Sequence, residues 1–142
     1  MEKKIITDKI IKGDLVFEGK VVFTKDVSIT GDLFVGSLTA WGDIYVKGEY
    51  VVDHDDIVGG YQKVGGSQSI FESQKIGGSQ TVLGDYQEVY GGQAICGDQK
   101  IMGDQSIWGK QKVFKKQKVL GRQTFFTKAK ITSLLTNPYR AI

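Results

Sequence analysis

The sequence predicts an all-β chain wound as a single-stranded triangular β-helix of about seven coils, each made of three six-residue units. Three observations predict it. Gln recurs at Gln62, Gln68, Gln74, Gln80, Gln87, Gln93, Gln99, Gln105, Gln111, Gln117 and Gln123, every step six residues but one of seven at Tyr86. Two residues beyond each Gln stands Val, Ile or, at the last, Phe125. Nineteen Gly stand against a single Pro, most of them opening a unit, as expected where the backbone turns a corner through positive φ angles.

The same unit runs through the first half with another filling. GDLVFE, GKVVFT, KDVSIT and GDLFVG are followed by the five-residue SLTAW, then GDIYVK and GEYVVD. Aligned on their corners, Leu15, Val21, Val27, Leu33, Ile44 and Tyr50 fill the third position that Gln takes later. HDDIVG, from His54 to Gly59, is the seam between the two fillings. Residues 1–132 are thus expected to form one β-helix, aliphatic in its core over 1–59 and amide-lined over 60–132, with 133–142 as a C-terminal cap or tail. Six residues are too few for a helix, and apolar or Gln residues at the third and fifth positions around a polar fourth describe a three-residue strand.

The coil count follows from side-chain type. Sixth positions of every third unit give Phe71, Tyr90, Trp108 and Phe126, all aromatic, whereas the other two series are mixed. Three units therefore make a coil, and seven coils make a rod of roughly 33 Å at about 4.8 Å per coil. The four rings are expected to stack as a structural ladder at one corner.

Gln must face inward, because the alternative buries the alternating Lys, Ser and Thr. Stacked Gln amides can bond the side chains above and below. Each bond is worth about 1 kcal/mol net, while a buried unsatisfied amide costs about 1 to 3 kcal/mol, so the ladder acts mainly on register.

Outward fourth positions in the first half read Val16, Val22, Ser28, Phe34, Ala40, Tyr45, Val51 and Ile57. Such an apolar surface calls for a cover, and Val16, Phe34, Tyr45, Val51 and Ile57 are the candidate interface residues. The repeat extends through TDKIIK almost to Met1 without a cap. At the other end Pro138 stops any strand, and Leu134, Leu135 and Tyr139 are candidates to fold over the last coil.

Chemistry is scarce. The single His54 lies among Asp53, Asp55 and Asp56, with no second imidazole or thiolate to complete a metal site; a solvated corner is the expected reading, with cation binding left open. Cys96 is the only Cys, so an internal disulfide is excluded. No Ser or Cys nucleophile has a second His to call on, and no Gly-rich corner is followed by the G-K-[ST] of a phosphate loop. No cofactor or metal is expected. Residues 1–59 hold seven Lys and Arg against eleven Asp and Glu, a balance of −4 that leaves +7 for the remainder. The asymmetry favours unlike ends meeting, although salt screens beyond about 8 Å. Lys rows alternating with Ser and Thr read as solubility and edge protection, so nucleic acid is not an expected partner. The opening residues are too charged for a secretory signal, and a cytoplasmic location is expected, or a virion under the second reading below.

Runs such as GDLVFEGKVVF (Gly13 to Phe23), KDVSITGDLFV (Lys25 to Val35) and GDIYVKGEYVV (Gly42 to Val52) resemble the bactofilins, bacterial cytoskeletal proteins. The resemblance covers the first half; the Gln units depart from it, as does the absence of Pro-rich tails. It implies a right-handed winding and a nucleotide-free filament built by end-to-end stacking, often on the inner membrane face. The hexapeptide-repeat acyltransferases share the unit length, but Gln stands where they carry a small residue and no His occupies an acetyl-transfer position. The expected function is a non-enzymatic structural protein that self-assembles through its ends or its apolar lateral face into a filament or scaffold, its partner being itself, with a membrane surface or larger assembly as a further association. A trimeric phage or viral appendage is the second reading, and a hexapeptide-repeat transferase the third.

Overall fold

A computed structural model of the chain describes residues 2–126. These contain strands and turns only, with no helix, and they form a β-solenoid whose strands all pair in parallel. The chain visits three faces in rotation, each stacked seven rungs deep. One face runs from the start of Leu15–Phe23 through Tyr50–Val52 and Gln68–Ile70 to Gln123–Phe125. The second runs from Lys3–Ile6 through Asp56–Val58 and Gln74–Ile76 to Gln111–Val113. The third runs from Ile10–Ile11 through Ile44–Val46 and Gln62–Val64 to Gln117–Val119. Leu15–Phe23 and Leu33–Ala40 are long enough to round the corner between the first two faces, which joins those faces into one 12-stranded sheet and leaves the third as a separate 7-stranded one.

Register keeps each side-chain type in its column. Gln68 lies over Tyr50, 18 residues back, and Gln105 over Gln87. The five-residue unit shortens one coil, so that Leu33 aligns with Tyr50 and Val27 with Ile44, 17 residues on. The extra residue before Gln87 lengthens another, so that Gln68 aligns with Gln87, 19 residues on. Corners absorb both irregularities and the strands stay in phase, because a slip of one residue would turn every core side chain outward.

Two sequence expectations need correction. Ala40 is core-facing and 2% exposed, and Thr39 takes the outward place beside Ile57. The unit SLTAW lacks its leading corner residue, since Gly36 continues the strand, and this moves each of its residues forward by one position. Val22 does hold an outward position, between Ile5 and Thr39, yet it is only 6% exposed.

The corners explain the Gly-Asp pairs, and the reason differs from the expected backbone conformation. Only Gly13 has a positive φ, +85°. Most of the others are Gly because coils approach closely there. A Cβ on Gly31 would lie 2.6 Å from the Gly13 carbonyl carbon, and one on Gly103 would lie 2.0 Å from the Asp85 carbonyl oxygen. The Asp that follows has its own task. Asp14 Oδ1 accepts the Asp32 N–H at 2.7 Å, Asp32 Oδ1 the Glu49 N–H at 2.9 Å, and Glu49 Oε2 the Ser67 N–H at 2.5 Å. A second edge repeats this through Asp26, Asp43 and Tyr61. Each carboxylate thereby satisfies a corner N–H that the sheets leave without a partner. Much of the acidity of the first half is structural for this reason.

Candidate functional site

Three features of the rod can act on something else: its amide-lined interior, its two ends and its exposed side chains. The interior sets the character of the ends. Every Gln from Gln62 to Gln123 is at least 95% buried, and the aliphatic fifth positions beside them, from Val64 to Val119, are buried too. In each coil three amides meet three aliphatic side chains at the axis.

The amides form a lattice. Along the columns, Gln80 Nε2 donates to Gln62 Oε1 at 2.6 Å, Gln87 to Gln68 at 2.6 Å and Gln93 to Gln74 at 2.7 Å, and the same step repeats upward as far as Gln111, Gln117 and Gln123. The second N–H of several amides crosses to a neighbouring column, as from Gln87 to Gln80 Oε1 at 3.0 Å and from Gln99 to Gln93 Oε1 at 3.1 Å. In every one of these bonds the donor has the higher residue number. The lattice is polar: in these bonds the N–H groups point toward the N-terminal end.

Asp56 begins it. This residue lies six before Gln62, in the third position of its unit, and is fully buried. Its Oδ2 accepts from Gln62 Nε2 at 2.9 Å and from Gln74 Nε2 at 2.8 Å, and Tyr50 Oη, also fully buried, bonds Oδ1 at 2.5 Å. Ionised, the acid offers both oxygens only as acceptors. The first amides must present N–H to it, and each successive amide must do likewise. Burial pushes the Asp56 carboxyl above the usual range, against the pull of its hydrogen bonds. Burial, and then the Asp56 charge, push the Tyr50 hydroxyl well up. The role of this pair was missed in the sequence, although a spacing of six from Asp56 to Gln62 to Gln68 signals it.

One acceptor high in the third-face column stands out among the described residues. Gln117 Oε1 is buried and has no hydrogen-bond partner. At the near end, Lys4 occupies the inward column of Val21 and Leu38, and its Nζ lies 5.7 Å from the centroid of Phe17, whose ring lies against the core. The N-terminal mouth therefore carries a cation over an aromatic ring. The candidate cap residues Leu134, Leu135 and Tyr139 lie outside the described residues.

Along the sides, Val16, Phe34 and Val51 share one outward column. Val16 is 69% exposed and Phe34 39%. Ile57 is exposed on the second face and Tyr45 on the third, where Lys63 Nζ lies 5.4 Å from the Tyr45 ring centroid. The structure thus spreads the five candidate interface residues over all three faces. Phe71, Tyr90, Trp108 and Phe126 stack in sequence at one corner, with centroids 5.0, 4.3 and 4.4 Å apart and ring planes within 13° of parallel.

Comparisons with protein-family models, with curated proteins and with solved structures found no match. Function must be argued from this geometry.

The His54 cluster is dispersed. Asp56 points into the core, while His54 lies at the surface and bonds Glu72, one coil on, at 2.5 Å. That bond raises the imidazole above its ordinary value. Among the described residues no three His, Cys, Asp or Glu side chains converge to hold a metal. Cys96 is exposed and unpaired by any disulfide.

Proposed function

We propose that this chain is a non-enzymatic structural protein that assembles with copies of itself, through the ends of the solenoid, into a filament or scaffold. The observation that carries the reading is the open N-terminal end. Among the described residues, Lys3–Ile6 and Ile10–Ile11 each pair on one side only, and Ile5 and Ile10 within them are 61% and 62% exposed. A parallel strand edge with apolar flanks templates another strand unless something covers it. The interior is consistent with the same reading, because among the described residues it is filled by closely packed aliphatic and amide side chains.

The trimeric appendage reading rests on the Val16, Phe34 and Val51 column, which a lateral seam would bury. Such a seam on one face would leave Ile57 and Tyr45 in water on the other two. Electron micrographs and sedimentation of the purified chain test the proposal. Extended polymers support it, whereas discrete trimers favour the appendage and a monomer at high concentration overturns both.

A further inference from the structure

The edge along which Asp26, Asp43 and Tyr61 succeed one another borders a cleft of about 300 Å³ on the third face. Two neighbouring columns wall it. Ser28, Tyr45 and Lys63 follow one another outward on consecutive rungs of that face. Two residues before each of them stand Asp26, Asp43 and Tyr61, tied together where the Asp43 N–H donates to Asp26 Oδ1 and the Tyr61 N–H to Asp43 Oδ1, both at 2.8 Å. The buried Val27 and Ile44 form the floor, and Lys9, whose carbonyl accepts the Ser28 N–H at 2.9 Å, lines the lower end.

Rings, acceptors and donors meet in this lining. Tyr61 is 61% exposed, and its ring lies against the corner of the next coil, where a Cβ on Gly78 would meet Cδ1 at 2.8 Å. Glycine at that corner lets the ring rest on backbone while the rest of its surface stays open. Tyr45 is exposed beside it, with Lys63 Nζ 5.4 Å from its ring centroid. Asp26 and Asp43 each spend Oδ1 on a corner N–H, which holds the carboxylate in place and leaves Oδ2 as an acceptor. Lys9, Lys63 and the Ser28 hydroxyl supply donors. Two carboxylates offset two ammoniums, so the cleft selects neither an anion nor a cation, and the carboxylates disfavour a phosphate.

We propose that this cleft binds a neutral saccharide ring, its C–H face stacked on Tyr61 and its hydroxyls donating to the Oδ2 atoms of Asp26 and Asp43 while accepting from Lys63 and Lys9. A sugar hydroxyl donates and accepts at once, which a lining of carboxylates and ammoniums side by side can satisfy. Small-ligand sites of this kind pair an aromatic surface with a few placed polar groups. Trp41, 65% exposed at the same corner two residues before Asp43, offers a further ring to a longer glycan. Binding of this kind needs no self-assembly. Copies held together in an assembly would present the cleft repeatedly, so that weak binding at each adds up.

Saturation-transfer NMR on the full chain tests it, with the methyl glycosides of glucose, galactose, mannose and N-acetylglucosamine as probes and tetramethylammonium and acetate as charged controls. Transfer to the ring protons of at least one glycoside is the expected result. Tyr61→Ala is expected to weaken that binding at least about tenfold. Asp43→Asn keeps an oxygen for the Tyr61 N–H but turns the remaining acceptor into a donor, and is expected to weaken it several-fold. Circular dichroism confirms that each variant is folded, and Tyr45→Ala, with the same expected loss, takes the place of Tyr61→Ala should that chain fail to fold. No transfer to any glycoside overturns the proposal. Transfer that the Tyr substitutions leave unchanged also overturns it, as does transfer to a charged control alone. Each of those results leaves the self-assembly reading standing.

Discussion

Replacing Gln80 by Leu tests whether the amide lattice contributes through satisfied hydrogen bonds or through bulk alone. Gln80 accepts from Gln99 Nε2 at 2.8 Å and from Gln87 Nε2 at 3.0 Å. Leu is of similar size and removes both acceptors. Gln99 then keeps only its bond to Gln93, and Gln87 only its bond to Gln68, so two buried N–H groups lose their partners. The oxygens that Gln80 used to engage are not stranded, because Gln62 still receives Gln68 and Gln74, Gln68 still receives Gln87, and Gln74 still receives Gln93. Two stranded donors cost about 2 to 6 kcal/mol at about 1 to 3 each. Burying Leu in place of an amide returns about 1 to 2 kcal/mol, leaving a net loss of roughly 0 to 5 kcal/mol, centred near 2 to 3. The matched control is Gln117→Leu. Gln117 donates to Gln99 Oε1, which still receives Gln105 and Gln111, and its own oxygen has no partner, so this change strands no donor and removes an orphan. It should be neutral or slightly stabilising. Urea unfolding followed by circular dichroism reads both, with hydrogen exchange showing whether the loss is centred on the coils around Gln80. Equal midpoints for the two variants would refute the reasoning, since size and burial are alike and only the stranded donors differ.

The corners give a second paired test. Gly103→Ala drives a Cβ to 2.0 Å from a backbone oxygen and should lower stability by more than about 2 kcal/mol, whereas at Gly92 the nearest atom is 3.4 Å away and Ala should change little; thermal melts of the two chains decide whether close approach governs the choice of Gly. Asp56→Asn probes the buried acid through pH. The Asp56 carboxyl is raised in the folded chain, so the neutral form folds better, and its contribution is fully present below about 3.9, the unfolded value, and lost as pH rises through the folded value. The variant lacks that loss, so the stability difference, variant minus unsubstituted, should grow as pH rises through this window; a difference independent of pH sinks the account. Trp108→Ala removes a ring stacked on both sides and should cost about 1 to 3 kcal/mol at about 0.5 to 1.5 per ring pair, whereas Phe114→Ala, at a 65% exposed ring, should cost far less when melted alongside it.

Much of the architecture was legible because the repeat is short and strict. A Gln every six residues, with Lys, Ser and Thr between Gln and the next aliphatic, left only one face that could be buried. The aromatic series Phe71, Tyr90, Trp108 and Phe126 fixed the number of units per coil before any geometry was known. Reading failed where the period broke. The five-residue unit hides which of its positions is missing, so the sequence puts Ala40 outside, and only pairing with Val58 resolves it. The glycines were assigned to a backbone conformation that only Gly13 adopts, because a sequence cannot tell a left-handed turn from a close contact with another coil. Asp56 was grouped with His54 by adjacency, although its spacing from Gln62 belongs to the core.

By itself the sequence determined the period, the inward set and the change of filling near residue 60, since each follows from local alternation and from the cost of burying charge. The tertiary structure alone decided the direction of the lattice. Direction is a property of columns built from residues 18 or so apart, and it is set once, by a buried carboxylate that can only accept from the first amides above it.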